Sequence, residues 1–373
     1  MNETGFYVAI DIGAGNGTKI AICRDVHSVF SQAELHLDKY GTTFEEFVTA
    51  LTGRIETFLD QSGLGRRDIR ALGISTAGIL KSDGGFQLAQ NLPRFNGRNL
   101  KQSLSSYFDR PVAIENDANA GGLAEWSVLQ VEMLYWVLGG GWGGAWISRD
   151  GRILHPTQDW DGRDTSLHYT NEPGYSIPLE KLMLKQLFSE VGSSYERFEM
   201  VLQDEMGCPV RSIVGPEDNP DTLRAEVIIS GPGRCRLFRA IVGDDDFYER
   251  FLDIHETREM SDPSIAGRHI SKLSSMRVEA AVNTDRLYGK ILAIATRTMI
   301  KSAMKEGMPE GIPICLGGKP SYALPYFGPS SQRLLGKFGL MNYLRPSVID
   351  ERGSNANVVG AAFLAQKAER EAG

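Results

Sequence analysis

The chain has 373 residues, 42% of them hydrophobic and 23% charged, with a formal charge of −7. This profile excludes a disulfide-stapled miniature and a mainly disordered chain, and the length predicts two or three domains or two large lobes around a cleft. Without an overall cationic field, neither nucleic acid nor an anionic membrane surface is an expected partner.

Tyr7 to Ile10 reads as a strand, Asp11-Ile-Gly-Ala-Gly-Asn-Gly17 as an enlarged glycine-rich turn and Thr18 to Cys23 as the returning strand of a hairpin. Phe44, Phe47, Val48, Leu51, Ile55, Phe58 and Leu59 recur at helical spacing, with Thr43 and Glu46 placed as a capping box. A strand at Ala71 to Ser75, a helix at Leu100 to Phe108 and a strand at Pro111 to Ile114 follow; this alternation favours an α/β sheet. Glu115-Asn116-Asp117 falls where that strand ends and a helix through Leu123 and Trp126 begins, the position at which such sheets place ligands. Met133 to Leu138, the loop Gly139 to Gly144 and a strand at Ala145 to Ser148 repeat the strand, glycine turn, strand pattern, which predicts two similarly built lobes offering a loop each to one cleft. Leu179, Leu182, Met183 and Leu187 mark another helix. Residues 191–276 show Gly/Pro turns at Gly215-Pro216 and Gly231-Pro232-Gly233 and an acidic run at Asp244, but no motif. A long helix at Asp285 to Met304, a strand at Ile312 to Leu316 ending in Gly317-Gly318, and a helix at Asn357 to Lys367 come last.

Glu3 and Asp11 sit where an export leader would be apolar, and no apolar stretch is long enough to cross a bilayer, so a cytoplasmic location is expected. Cys23, Cys208, Cys235 and Cys315 are dispersed, as free thiols in a reducing compartment would be.

Asp11 directly follows a strand, with Gly13, Gly15 and Gly17 behind it and Thr18-Lys19 closing the turn. Glycines let backbone N–H groups approach phosphate oxygens, the threonine hydroxyl adds a donor, and the carboxylate suits magnesium, directly or through water. An ordinary hairpin turn explains the same residues. The second loop, with Gly140, Gly141 and Gly143, is equally ambiguous alone, but two phosphate cradles on one cleft suit a nucleoside triphosphate. Asp117 could accept the proton of a substrate hydroxyl as it attacks phosphorus, or simply cap its helix. Asn91, in Asn91-Leu92-Pro93, and Glu172 and Tyr175, in Glu172-Pro-Gly-Tyr175, offer groups that bind polyols, or only turn chemistry. His155 and His168 lack a metal-ligand partner set.

Taken in order, these segments resemble the ROK family of sugar kinases and repressors, within the actin, Hsp70 and hexokinase superfamily. Asp11 to Ile20 is similar to its D-I-G-G-T-K-I phosphate loop, Ala71 to Leu80 to its G-x-x-x-x-G segment with Gly78 as the second glycine, and Asn91-Leu-Pro to its sugar-binding N-L-P loop. Glu115-Asn-Asp-Ala-Asn-Ala120 matches E-N-D-A-N-A, the most specific of these, in which the aspartate is the catalytic base. Leu138 to Gly144 resembles the second phosphate loop and Leu316-Gly-Gly318 the nucleoside-side glycine pair. The first loop carries three extra residues, Gly140 stands where the family has threonine, and Tyr175 replaces a histidine followed by a cysteine-rich zinc knot whose thiolates are absent, so zinc is not expected.

The resemblance implies a two-lobed actin-like, ribonuclease H-like ATPase fold with mixed sheets and an interlobe cleft. An N-terminal lobe would span 1–125 with the helix 356–373 packing back on it, and a C-terminal lobe 126–355 with an atypical insertion at about 191–276. It implies ATP-dependent phosphorylation of a hexose or hexose derivative at the 6-hydroxyl, with Asp117 as base. ATP and Mg²⁺ would sit with Asp11, Gly13, Gly15, Gly17, Thr18, Lys19, Gly140, Gly141, Gly143, Gly317 and Gly318. The sugar would meet Gly78, Asn91, Asn116, Asp117, Glu172, Tyr175 and Glu180. A homodimer stays open, as do two other functions: a catalytically weak sugar-binding or regulatory protein, and a non-sugar ATPase of the same superfamily.

Overall fold

A computed structural model of the chain describes residues 5–13, 17–39, 41–89, 92–154, 172–206, 219–243 and 263–373. In chain order its elements are β1 (Phe6–Ile12), β2 (Gly17–Asp25), β3 (Ser28–His36), α1 (Phe44–Gln61), β4 (Ile69–Thr76), β5 (Ile79–Leu80), β6 (Phe86–Leu88), α2 (Leu100–Phe108), β7 (Val112–Asn116), α3 (Asp117–Leu129), β8 (Met133–Leu138) and β9 (Trp142–Ile147). There follow α4 (Pro173–Ser176), β10 (Pro178–Glu180), α5 (Lys181–Ser189), α6 (Tyr195–Met206), β11 (Thr222–Arg224), α7 (Gly231–Val242), α8 (Pro263–Ser275), α9 (Glu279–Lys305), β12 (Pro313–Gly317), α10 (Leu324–Lys337), β13 (Tyr343–Pro346), α11 (Val348–Glu351) and α12 (Ala356–Ala372). They form two compact units. The first holds Met1–Val131, Ile147–Ile153 and Val348–Gly373, the second Glu132–Trp146 and Leu154–Ser347.

The first unit is built on a mixed five-stranded sheet in the order β3-β2-β1-β4-β7. β1 runs antiparallel to β2 and parallel to β4, which runs parallel to β7. Both faces of β1 are buried, which is why it reads as a continuous apolar run. One face carries bulky residues: Val8, Ile10, Ile20 and Ile74 pack against Phe44, Phe47, Leu51 and Ile55 of α1. The Thr43 hydroxyl accepts from the Glu46 amide at 3.2 Å and the Glu46 carboxylate from the Thr43 amide at 2.8 Å, so the capping box forms as read. The other face carries small residues, Ala9, Ala21 and Ala71, against Val358, Ala361 and Ala365 of α12.

The small residues let α12 lie directly on the sheet. A Cβ at Gly73 would stand 1.8 Å from the Ala361 carbonyl oxygen, and one at Gly360 would stand 2.0 Å from the Ala120 carbonyl oxygen of α3. Backbone cannot yield as a flexible side chain can, so Gly73→Ala should lose about 1–3 kcal/mol, the usual range for overpacking. Urea unfolding reads it, and an unchanged midpoint would mean α12 lifts from the sheet at no cost.

The second unit has a four-stranded sheet, β13-β12-β8-β9, with β12 parallel to both neighbours, and an antiparallel β10-β11 pair. Trp136 and Trp142 meet edge to face in its core, ring centroids 5.0 Å apart, among residues of α5, α6, α7, α9 and α10. Three sequence expectations change here. β9 starts at Trp142, not Ala145, so Gly143 and Gly144 lie in the strand and the turn is shorter. Leu179 belongs to β10 rather than to the helix that follows. Gly231-Pro232-Gly233 is the first turn of α7, not a loop: Pro232 occupies a position whose N–H needs no helical partner, and the Ser230 hydroxyl accepts from the Gly233 amide at 3.0 Å.

The stretch read as motif-free thus contributes α6, β11, α7 and α8. α7, α8 and α9 are joined by a buried ion pair, Arg234 with Asp285, whose side chains are 3% and 2% exposed. Gly215-Pro216 and the acidic run at Asp244 lie outside the described residues. Cys23, Cys235 and Cys315 form no disulfide, and Cys208 is outside the described residues. Among the described residues no helix is long and apolar enough to cross a membrane.

Candidate functional site

In the first unit the candidates gather at the carboxyl ends of β1, β4 and β7. Register sets Asp11 beside Lys19 on one side and Ser75 on the other, and Ser75 beside Glu115. Asp11 is 5% exposed; its Oδ1 accepts from Asn357 Nδ2 of α12 at 3.2 Å and its Oδ2 lies 3.7 Å from Lys19 Nζ. Burial raises the Asp11 pKa above the ordinary carboxylate value, against the pull of Lys19, Asn357 and Lys39. The Ser75 Oγ and Thr18 Oγ1 are buried with no hydrogen-bond partner among the described residues.

The cap of α3 is Asn116 rather than Asp117. The Asn116 Oδ1 accepts from the Ala118 and Asn119 amides at 2.9 and 3.3 Å. Its Nδ2 donates to the Gly78 carbonyl at 3.0 Å, and among the described residues the second N–H of the amide has no partner. Gly78 has φ +120, a conformation that L side chains rarely adopt, and a Cβ there would stand 3.1 Å from the Leu88 carbonyl oxygen. Glu115 Oε1 accepts from the Asn116 amide and from Asn119 Nδ2 at 2.8 and 3.0 Å, which fixes the strand-to-helix turn. Asp117 opens α3 and accepts from the Ala118 amide at 2.9 Å. Its pKa is pushed up to about 6, by burial first and by the charge of Asp11 second. A carboxylate so tuned is a competent proton acceptor near neutral pH.

In the second unit the glycine turn is held from below: the Gly139 amide donates to the Gly141 carbonyl at 2.9 Å and the Gly231 amide donates to the Gly139 carbonyl at 2.8 Å. A Cβ at Gly140 would meet nothing within 4 Å, whereas one at Gly141 would stand 3.0 Å from Glu226 Oε2. Burial raises the Glu226 pKa, against the nearby Arg224 and Arg236. Glu172 precedes α4 and Tyr175 lies within it; the Arg224 guanidinium sits 3.9 Å from the Tyr175 ring centroid and donates to its hydroxyl at 3.2 Å. Tyr175 is thus already engaged by a cation. Glu180 is exposed, at the end of β10 opposite Thr222. Gly317 and Gly318 lie tight against β8: a Cβ would stand 2.2 Å from the Tyr135 hydroxyl and 2.1 Å from the Leu138 carbonyl oxygen, respectively.

Gly15 and Asn91 lie outside the described residues, as do His155 and His168. Four residues that the sequence did not single out join the picture. Asn357 and Lys39 touch Asp11 and its loop, and Arg224 and Glu226 border Tyr175 and Gly141. Among the described residues, no three of His, Cys, Asp and Glu gather as a metal site would require.

Residues 7–156 match the ROK family. The N-acetyl-D-glucosamine kinase of Citrobacter koseri is 34% identical over 125 residues, 32% of this chain and 37% of that protein. The match therefore spans little more than a third of that curated relative's length. Among solved structures, the ROK hexokinase of Thermus thermophilus superposes with a TM-score of 0.61 at 21% identity, covering 99% of this chain and 100% of that one. A ROK family glucokinase of Streptomyces griseus, in complex with glucose and AMPPNP, superposes at 0.64 with 18% identity, covering 97% and 100%. These likenesses establish the fold as that of the ROK sugar kinases, the actin-like ATPase fold.

Proposed function

We propose that this chain, a relative of the ROK family by residues 7–156 and of ROK fold throughout, transfers a phosphoryl group from ATP to a hydroxyl of a hexose or hexose derivative. The observation that carries the reading is Asp117, a carboxylate with its pKa raised to about 6 at the end of a sheet strand, next to a neighbour already committed as helix cap. It would take the proton from the attacking hydroxyl, the 6-hydroxyl by family resemblance, a contribution of about 10²–10⁴-fold.

Gly78, Asn91 and Asn116 would contact the sugar, Asn116 through its remaining N–H. Glu172, Tyr175 and Glu180 are assigned to the sugar by sequence resemblance. Asp11, Gly13, Gly15, Gly17, Thr18 and Lys19 form one phosphate-binding set, Gly140, Gly141 and Gly143 a second, and Gly317 and Gly318 would take the nucleoside side. Magnesium fits the first set: the charge of Asp11 still reaches Asp117 and raises its pKa, and a hard carboxylate with substrate phosphates supplies the oxygen donors that ion prefers. Bound there it would neutralise phosphate charge; Asp11 would hold it, directly or through water.

The test is purified protein with ATP, Mg²⁺ and a panel including glucose and N-acetylglucosamine, read by phosphorus NMR. One sugar phosphate is expected. Sugar-independent ADP release would favour a non-sugar ATPase, and the absence of any turnover would end the kinase reading.

Open space around Gly140 bears on catalytic power. Gly140→Thr restores the hydroxyl that the family has there without a clash, and one neutral hydrogen bond is worth about 0.5–1.5 kcal/mol. The expected result is a rise of about 2- to 10-fold in kcat/KM for ATP. An unchanged value would mean this loop does not touch phosphate.

One observation favours a second reading, a sugar-binding protein of weak catalytic power: the Glu226 carboxylate borders Gly141, where negative charge opposes phosphate. Sugar binding by calorimetry without phosphorylation, and turnover gained in Glu226→Gln, would support it.

A further inference from the structure

Five cations follow one face of the long helix α9. Arg286, Lys290, Arg297, Lys301 and Lys305 succeed one another at steps of four, seven, four and four residues, which a period of 3.6 keeps in a single stripe. The first two are used within the chain: the Lys290 ammonium pairs with the Glu190 carboxylate, and an Arg286 nitrogen donates to the Glu190 carbonyl at 2.9 Å. The last three are exposed and have no acidic partner among the described residues. With Thr298 and Ser302 they line an open groove of about 370 Å³, and no carboxylate lines it with them. Arg297 is braced by Phe338, just after α10, whose ring centroid lies 4.7 Å from the guanidinium carbon.

Two purely structural accounts fall short. Cations in the last turn of a helix meet the negative end of its dipole, but that attraction fades within one turn and covers Lys305 alone. A solvated helix face mixes its signs, because like charges four residues apart destabilise the helix; here two such steps run in succession, in a chain whose net charge is −7. The hydroxyls also recur with the cations, as Arg297-Thr298 and Lys301-Ser302. A cationic nitrogen beside a hydroxyl makes a donor pair for an oxyanion. The two pairs stand about 6 Å apart along the helix axis, with Lys305 about 6 Å further on. The groove has the volume of a small-molecule site, and three cations are fewer than the roughly 6–10 phosphate contacts of a nucleic-acid interface.

We propose that this groove binds a small molecule bearing two phosphoryl groups. Arg297 with Thr298 holds one group, and Lys301 with Ser302 and Lys305 holds the other. The site lies wholly on α9 of the second unit and needs nothing from the kinase reading.

Glucose 1,6-bisphosphate is the probe, added to full-length protein at about 0.1 M salt with saturating glucose and AMPPNP to fill any kinase site. It should protect Lys301 and Lys305 from acetylation, read by mass spectrometry, and bind in calorimetry about 10-fold more tightly than glucose 6-phosphate. Each of Arg297→Gln and Lys301→Gln should weaken it about 3-fold, as suits exposed charges, and the triple change with Lys305→Gln should remove the binding. Lys367→Gln, on α12, removes one charge elsewhere and should leave it intact. Unchanged acetylation of the wild type overturns the proposal, as does equal affinity in the triple variant. Equal, weak binding of sulfate and of the bisphosphate would mean an adventitious ion only and would also overturn it. So would displacement of the bisphosphate by an acidic peptide or a DNA strand at lower concentration, which would make the groove part of a macromolecular surface.

Discussion

Asp117→Asn should lower kcat/KM by about 10²–10⁴-fold and at the same time make the protein more stable at neutral pH. Both effects come from one cause. Folding raises the carboxyl pKa from 3.8 to about 6, so ionisation is harder in the fold than in the unfolded chain. The fold is favoured by this group below pH 3.8, loses that advantage as pH climbs toward 6, and is at its least favoured above. An asparagine carries no charge to bury, so at pH 7.5 it should gain about 1–3 kcal/mol, the worth of a two-unit shift discounted for partial exposure. Below pH 4 the gain should vanish. The same ionisation should give kcat/KM for the sugar an acid limb with a midpoint near 6. Urea titrations at the two pH values and a pH–rate profile check it; a variant with full turnover, or one destabilised equally at both pH values, refutes the assignment.

Asp285→Ala should cost about 3–5 kcal/mol, the usual penalty for leaving a buried charge without its partner. Arg234 Nε and an outer nitrogen both reach Asp285 Oδ1, at 2.8 and 2.7 Å, while the other guanidinium nitrogen donates to the Gly267 carbonyl at 2.8 Å. Ser274 donates to Asp285 Oδ2 at 2.5 Å. One pair therefore fastens α7 to both α8 and α9. Burial keeps the Asp285 pKa raised despite the arginine, a sign that the pair is held at a desolvation cost. It follows that Arg234→Met with Asp285→Leu, which removes both charges, should be far milder than either single truncation. Tryptophan fluorescence in urea, with Trp136 and Trp142 in this unit, reads the difference. Equal losses for the single and the double variant would show that the shape of these side chains matters and their charge does not.

Much of the first unit was legible because local and tertiary preferences agree there. The apolar spacing of α1 begins at its capping box, α2 spans the residues read as a helix, and the alternation of strand and helix places Asp117 at the end of β7. Disagreement marks where reading failed. Glycines are poor strand formers, so Gly143 and Gly144 read as loop although pairing with β8 carries them into β9; Gly-Pro-Gly reads as a turn although Ser230 caps a helix there. Whether Asn116 or Asp117 caps α3 is a matter of which side chain reaches two amides, which adjacent letters cannot say. Lys39 and Asn357 were invisible for a different reason: their partners lie 26 and 346 residues away in the chain. A lone lysine or asparagine carries no periodic signal pointing to them.

The helix α12 has a consequence for how the chain is made. Its Asn357 reaches Asp11, and the Tyr7 hydroxyl of β1 donates to Glu369 Oε2 at 2.5 Å, so β1, made early, waits for α12, made some 340 residues later. At about 5–20 residues per second, the alanine-lined face of β1 and β4 stays uncovered on the ribosome for roughly a quarter-minute to a minute. All of the second unit is translated in that interval. A message cut short before α12 would yield a second unit with every segment it needs beside a sheet with one face bare, a nascent chain suited to capture by chaperones or proteases.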